Sequence, residues 1–252
     1  MTSKISLGSE ASFSSMLFNR FGFASFAALL LAGLGTGGVA AAAGGSVDGT
    51  VKLVGKPPEA APINMKADPY CAKQPSAKDQ EVVVGKGGEL KNVVVRIAKG
   101  VATPPAAPAT PAVVDQSGCL YNPRIVVAQA GQTVEIKNSD MTLHNVHTYK
   151  GTQTLFNLAQ VQDMPPSKKK FPTVGDVVKF KCDVHPWMTG YVLVTDNPYF
   201  AVTGDDGKFD LTGVPAGKYT VEAWHEKYGT LTHDVTVTEG KPVDLKLEFK
   251  AK

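Results

Sequence analysis

Cysteine and histidine are scarce in this chain, which has 3 cysteines and 5 histidines among its 252 residues. Three cysteines exclude a framework in which every thiol pairs within the chain, because at least one is left over. An excess of one charge is also missing, since 26 basic residues face 23 acidic residues and the formal net charge is +3. That balance argues against a nucleic acid or an anionic membrane as the partner.

Catalytic motifs and helical patterns are absent as well. We find no catalytic triad, no pair of carboxylates and no phosphate-binding loop, so the sequence does not predict an enzyme. No amphipathic pattern of helical length follows the N-terminal region, and residues 152–161 are expected to form at most a short helical turn. The apolar segments are short, rich in Val, Ile, Tyr and Phe, and bounded by turn residues. This spacing predicts an all-β sandwich or barrel.

The only long apolar run lies at the N-terminus. Residues 21–35, "FGFASFAALLLAGLG", follow Lys4 and Arg20 and precede a stretch of small residues. This pattern predicts a secretory signal peptide over residues 1–43, cleaved near its end. A retained membrane anchor is the alternative, because the run approaches membrane-spanning length. The expected location is therefore secreted or periplasmic, with no membrane contact after cleavage.

The scarce ligand residues are concentrated in one loop. Residues 179–192, "KFKCDVHPWMTGYV", contain Cys182, His185 and Met188, with two residues between each of them and the next. A short loop between two strands can direct a thiol, an imidazole and a thioether to one point, which indicates a metal site with a further ligand from elsewhere. Zinc is one alternative, although it rarely uses methionine. An unmetallated Cys–His pair beside a core methionine is the other.

The further ligand is expected from residues 138–149, "NSDMTLHNVHTY", which contain His144 and His147. On a strand these two histidines face opposite sides, so at most one of them joins the site. Two imidazoles, one thiolate and one thioether match the trigonal His₂Cys site with a weak axial methionine that defines blue-copper electron-transfer centres.

The segments "KFKCDVHPWM" and "KNSDMTLHNVH" resemble the cupredoxins, most of all the amicyanin and plastocyanin types. The resemblance covers about residues 112–196, including "CLYNPRIVVAQAGQTVEIKNSD". It implies a Greek-key β-sandwich with one mononuclear type 1 copper site. The implied ligands are His144, Cys182, His185 and Met188.

The same resemblance implies roles for residues around the ligands. Asn145 would tie the histidine strand to the cysteine loop, as outer-shell partners do. His185 would reach the surface within an apolar patch, and Pro186 and Trp187 would form the docking face there. The implied function is one-electron transfer with a redox partner protein, either a cytochrome or a dehydrogenase. A copper-binding or copper-handling protein and a non-redox structural module are the alternatives.

The C-terminal residues 200–250 resemble a second family, the carboxypeptidase regulatory-like, transthyretin-like β-sandwich. The opening strands of that family are missing there, but "VDGTVKLVGKPP" and "LKNVVVRIAKG" supply similar strands within residues 46–100. We therefore expect a smaller, discontinuous sandwich from residues 46–100 and 197–252. The cupredoxin domain would be inserted after a proline-rich linker, residues 101–111. The alternative adds residues 46–100 to the cupredoxin, but leaves a C-terminal module of marginal size.

Two details complete these expectations. "GDDG" at residues 204–207 is a hairpin signal. Cys71 and Cys119 are the only pair left for a disulfide in an oxidising compartment. Such a bond would tie the N-terminal segment to the cupredoxin, whereas two independent buried thiols are the alternative.

Overall fold

The computed structural model describes residues 44–251, so the predicted signal peptide at residues 1–43 lies outside the described residues. Regular structure within the described range consists of sixteen β-strands and one 3-10 turn, Cys71–Lys73. The all-β class is therefore confirmed. No helix in this range is long and apolar enough to cross a membrane. In chain order, the strands β1 to β16 are Gly45–Val54, Val94–Lys99, Ala112–Ser117, Leu120–Asn122, Ile125–Gln129, Thr133–Asn138, His144–Lys150, Gln153–Gln160, Ser167–Lys170, Val177–Lys181, Thr189–Thr195, Phe200–Val202, Lys208–Val214, Gly217–His225, Gly229–Val237 and Pro242–Lys250.

One sandwich combines strands from both ends of the described chain, and we call it the terminal sandwich. Its three-stranded sheet has the order β13-β1-β16, and its four-stranded sheet has the order β12-β2-β14-β15. The N-terminal strands β1 and β2 are thus interior strands of the two sheets. Every other strand of this sandwich comes from residues 200–250. A shared apolar core fills the space between the two sheets and includes Val47, Val51, Val95, Leu211, Val221 and Leu247.

The parallel pairing of β1 with β16 depends on a glycine. Gly49 faces Leu245 in the register, and a Cβ atom at position 49 would lie only 1.9 Å from the Leu245 carbonyl oxygen. Any side chain there would force the two backbones apart, since real carbon and oxygen atoms do not approach so closely. This close contact allows β1 to lie between two C-terminal strands.

The "GDDG" turn is not a hairpin, so that prediction is wrong. It follows β12 and precedes β13, and these strands belong to different sheets. Because β2 pairs with β12 and β1 pairs with β13, each strand already has a partner in its own sheet. The turn therefore carries the chain from one sheet to the other.

The second sandwich, formed by residues 112–195, is the central sandwich. Its sheets have the orders β5-β11-β10-β7-β8 and β4-β3-β6-β9. The expected helical turn at residues 152–161 is wrong, because β8 occupies this segment. Phe156, Leu158 and Gln160 alternate with exposed residues there, and this period of two suits a strand rather than a helix.

The two sandwiches pack through a small apolar cluster and an ion pair between Arg124 and Glu226. Val94, Ile125 and Leu193 are the most buried members of the cluster. Arg124 of the central sandwich makes a two-pronged ion pair with Glu226 of the terminal sandwich, and the second contact is 2.9 Å. Their side chains are only 9% and 3% exposed. This pair therefore fixes the orientation of the two sandwiches from within a region shielded from water.

A loop between β1 and β2 lies against the central sandwich. We call residues 61–79 the cover segment. Its ends are joined by backbone hydrogen bonds, Ile63 N–H to the Ala77 carbonyl at 2.9 Å and Asp79 N–H to the Ala61 carbonyl at 2.8 Å. The loop is attached to the central sandwich by a disulfide.

That disulfide joins Cys71 of the cover segment to Cys119. Met65 and both cysteines are buried in one apolar cluster. Trp187, in the loop between β10 and β11, packs against this cluster. The cover segment is therefore anchored at the end of the central sandwich that carries the predicted ligands.

Candidate metal centre

The four predicted ligands come from three neighbouring places in the central sandwich. His144 begins β7, Cys182 follows β10, and His185 and Met188 lie in the loop before β11. Strands β7 and β10 are antiparallel partners, so the start of one lies beside the end of the other. All four residues are at most 1% exposed. The sheet pairing thus gathers residues that are distant in sequence.

The nitrogen and sulfur atoms of three of these residues converge. His144 Nδ1 lies 2.8 Å from His185 Nδ1, and Cys182 Sγ lies 3.7 Å from His185 Nδ1. These three ligand atoms all lie within 4.8 Å of one another. Met188 is buried in the same apolar cluster as Cys182, and its N–H donates to the His185 carbonyl at 2.9 Å. The loop is therefore folded tightly around the convergence point.

The tautomers of the two histidines follow from their outer contacts. His144 Nε2 lies 2.9 Å from Asp140 Oδ2, and His185 Nε2 lies 3.2 Å from Asp68 Oδ2. An ionised carboxylate only accepts hydrogen bonds, so each Nε2 carries the hydrogen. Both Nδ1 atoms then present lone pairs to each other at 2.8 Å. Two lone pairs repel, so this arrangement needs a proton or a metal cation between them.

The electrostatics of the site favour a cation at that position. Burial opposes the charged form of His144, but the hydrogen bond to Asp140 and the neighbouring Cys182 outweigh it and raise the pKa of His144 to about 9. Burial also opposes the thiolate, yet hydrogen bonds from His144 and from backbone N–H groups lower the pKa of Cys182. The site therefore favours a proton at His144 beside a thiol that ionises more readily than usual. The donor set fits a soft metal ion that replaces this proton.

Asn145 connects the histidine strand to the cysteine loop. Its Oδ1 accepts hydrogen bonds from Asp183 N–H at 2.6 Å and Val184 N–H at 3.2 Å. Its own N–H points to Cys182 Sγ at 3.5 Å. The Asn145 side chain also donates to the Asp183 carboxylate at 2.9 Å. These contacts fix the backbone that immediately follows Cys182.

His147 points away from the convergence point. Its Nδ1 lies 3.0 Å from the Asp183 carboxylate, and its Nε2 lies 3.0 Å from Thr154 Oγ1. The ring also stacks on Tyr149. Strand geometry explains the difference from His144, because residues separated by an odd number of positions face opposite sides.

The expectation that His185 reaches the surface is wrong. His185 is 1% exposed, because the cover segment lies over its outer edge. Trp187 is half-buried and donates its indole N–H to the Cys119 carbonyl at 2.9 Å. Pro186 remains exposed. His185 therefore offers no exposed ring edge around which an apolar docking face could form.

Sequence reasoning also missed the two carboxylates that contact the histidines. Asp140 lies four positions before His144, so a search for local acidic neighbours would have found it. Asp68 reaches His185 across 117 positions, and no local pattern marks that contact. Two further groups, each pairing one of these carboxylates with a cysteine and a histidine, are compact enough for a metal. Their cysteines form the disulfide, however, and Cys182 is the free cysteine of the described residues.

The comparison with family models confirms one of the two resemblances. The model of the carboxypeptidase regulatory-like domain matches residues 191–250. This range begins within β11, the last strand of the central sandwich, and continues through the terminal sandwich. A comparison with curated proteins finds no match.

Solved structures similar to this chain include cupredoxins. A purple cupredoxin from Nitrosopumilus maritimus is 24% identical over 34% of this chain and 99% of its own, with a TM-score of 0.30. Amicyanin from Paracoccus versutus is 26% identical over 40% of this chain and 96% of its own, with a TM-score of 0.31. A copper-containing nitrite reductase from Thermus scotoductus is 20% identical over 38% of this chain and 25% of its own, with a TM-score of 0.29.

Proposed function

We propose that this chain is an exported type 1 copper protein that carries one electron at a time. The single observation that carries the proposal is the pair of buried Nδ1 atoms of His144 and His185, which lie 2.8 Å apart beside Cys182. Met188 is the fourth proposed ligand because it is buried in the same loop. Copper bound by these residues would supply a Cu(II)/Cu(I) couple.

The surrounding residues support this role by holding the ligands still. Asp140 fixes the tautomer of His144, and Asn145 fixes the backbone after Cys182. Val146 and Phe180 are fully buried in the core that includes Cys182, so water is excluded on that side. A site that is already ordered changes little when its charge changes, which favours fast electron transfer.

Burial supports a carrier rather than an enzyme. A mononuclear copper enzyme needs a coordination position that its substrate can reach, whereas the proposed ligands are at most 1% exposed. An electron can cross a few ångströms of packed protein, but a substrate cannot. The proposed partner is a redox protein, and contact through Pro186 and Trp187 stays a prediction.

Export is proposed from two features. The N-terminal run predicts a signal peptide, and the disulfide between Cys71 and Cys119 is the kind of bond that persists outside the cytosol. A secreted or periplasmic location follows from both.

The proposal is tested by loading the purified chain with Cu(II) and recording optical and EPR spectra. We expect an intense visible band from the thiolate, and reversible bleaching on reduction. Cys182→Ser should remove the band, because a serine hydroxyl is neither soft nor ionised near neutral pH. His147→Ala is the matched control and should keep it. Weak colour with easily lost metal would favour copper handling, and absence of copper binding would refute the proposal.

A further inference from the structure

The cover segment contacts the proposed ligand set from outside the central sandwich. Its Asp68 places Oδ2 3.2 Å from His185 Nε2. Thr142, in the loop before β7, donates its hydroxyl to the same oxygen at 2.9 Å. Asp68 therefore connects one histidine to the loop that leads into the other.

A second carboxylate makes the equivalent contact with the other histidine. Asp140 Oδ2 lies 2.9 Å from His144 Nε2. The hydroxyl of Tyr70, also in the cover segment, lies 3.3 Å from Asp140 Oδ1. Each histidine thus has one carboxylate behind it, and the cover segment contacts both carboxylates.

The disulfide joins the two backbone positions that hold these carboxylates. The N–H of Cys71 donates to Asp68 Oδ1 at 2.8 Å, and the N–H of Cys119 donates to Asp140 Oδ2 at 2.8 Å. Because Cys71 and Cys119 are bonded to each other, the separation of the two carboxylates is covalently restricted. The separation of the two Nδ1 atoms depends on it in turn.

We propose that Asp68 is a positioning residue of the metal centre, and that the Cys71–Cys119 disulfide braces Asp68 and Asp140 as a pair. The cover segment then helps to position the metal ligands, although it lies outside residues 112–196, which resemble a cupredoxin. This inference rests on the proposed function, because it assumes that the convergent histidines bind copper.

The carboxylate has two physical effects on His185. It holds the hydrogen on Nε2, which leaves Nδ1 free for metal, and it increases the basicity of the ring. Outer-shell partners of this kind are typically worth about 10- to 100-fold in metal affinity. The added negative charge stabilises Cu(II) more than Cu(I), because the higher charge interacts more strongly.

The first experiment compares Asp68→Ala and Asp68→Asn with Asp79→Ala in the full chain. Asp79 is the matched control, since it is exposed in the same segment and accepts only a local hydrogen bond from Glu81 N–H. We expect Asp68→Ala to weaken Cu(II) binding by about 10-fold in chelator competition. If Cu(I) affinity is unchanged, the midpoint potential rises by about 59 mV. Asp79→Ala should change neither quantity.

The second experiment removes the brace with the double variant Cys71→Ala and Cys119→Ala. We expect a loss of Cu(II) affinity similar to that of Asp68→Ala. Adding Asp68→Ala to the double variant should cause little further loss, because effects that act through one contact are not additive. Fully additive losses would overturn the bracing role of the disulfide.

A third measurement needs no metal. The ¹⁵N resonances of the His185 ring report whether Nε2 carries hydrogen in the metal-free chain. We expect a protonated Nε2 in the natural protein and a shifted tautomer in Asp68→Ala, with circular dichroism confirming that the variant is folded. An unchanged tautomer together with unchanged copper affinity would overturn the role of Asp68. Failure of the natural protein to bind copper would instead refute the proposed function.

Discussion

The ion pair between Arg124 and Glu226 gives a prediction whose magnitude follows from burial. Glu226→Gln keeps the shape of the side chain but removes its charge, so Arg124 is left charged and 9% exposed without a charged partner. Breaking a buried pair in this way typically costs about 3–5 kcal/mol. The cost applies to the free energy of unfolding, because Arg124 regains water only when the sandwiches separate.

The neighbouring pair Lys227–Glu81 provides a matched control. Its side chains are 50% and 44% exposed, and an exposed pair contributes about 0–1 kcal/mol. Glu81→Gln should therefore change the urea midpoint only slightly, whereas Glu226→Gln should lower it strongly at an unchanged slope.

The double variant Arg124→Met and Glu226→Met separates charge from packing. It should recover most of the lost stability, because apolar side chains of similar volume need no charged partner. The recovery should not be complete, because Arg124→Met also removes the hydrogen bond from Arg124 to the Thr189 carbonyl at 3.3 Å. If Glu226→Gln costs no more than Glu81→Gln, burial does not determine the strength of this interface, and the reasoning is refuted.

Two further predictions concern the terminal sandwich. Burial and the Arg124 charge lower the pKa of His225 to about 4, so the folded chain binds this proton less well than the unfolded chain does. The free energy of unfolding should therefore fall by about 3 kcal/mol as the pH drops from about 6.5 to about 4. Urea titrations at several pH values should show that His225→Phe removes most of this decrease in the free energy of unfolding. His233 is exposed, so His233→Gln is the control and should keep the decrease. Residues 197–252 expressed alone should not fold cooperatively, because their two sheets would lack the interior strands β1 and β2. A sharp urea transition of this fragment would show that it folds without these strands and would contradict the prediction.

The candidate metal centre shows what local spacing can predict. Cys182, His185 and Met188 follow one another within a single loop, so their convergence needs only a tight turn. Because a strand alternates its faces, at most one of His144 and His147 could join them, and the resemblance to the cupredoxins indicated His144. These inferences depend on short-range geometry, which a single sequence contains.

The unpredicted parts depend on contacts between distant segments. Asp68 reaches His185 through a loop with no regular strand, and nothing near residue 68 indicates a metal. The error at residues 204–207 has the same origin, since the turn signal is local but the sheet to which each strand belongs is decided by β1 and β2. Burial of His185 was missed because the cover segment could not be placed from its composition.

The interior position of β1 has a consequence for how the chain matures. Val47 pairs with Val243, so β1, the first of the described strands, pairs in parallel with β16, the last of them. Contacts of such high sequence separation form slowly. The central sandwich lies wholly between these two strands in sequence. If it folds before they pair, the apolar face of β1 stays exposed, and exposed apolar strands are prone to aggregate. Removal of residues 242–250 would leave β1 without its parallel partner.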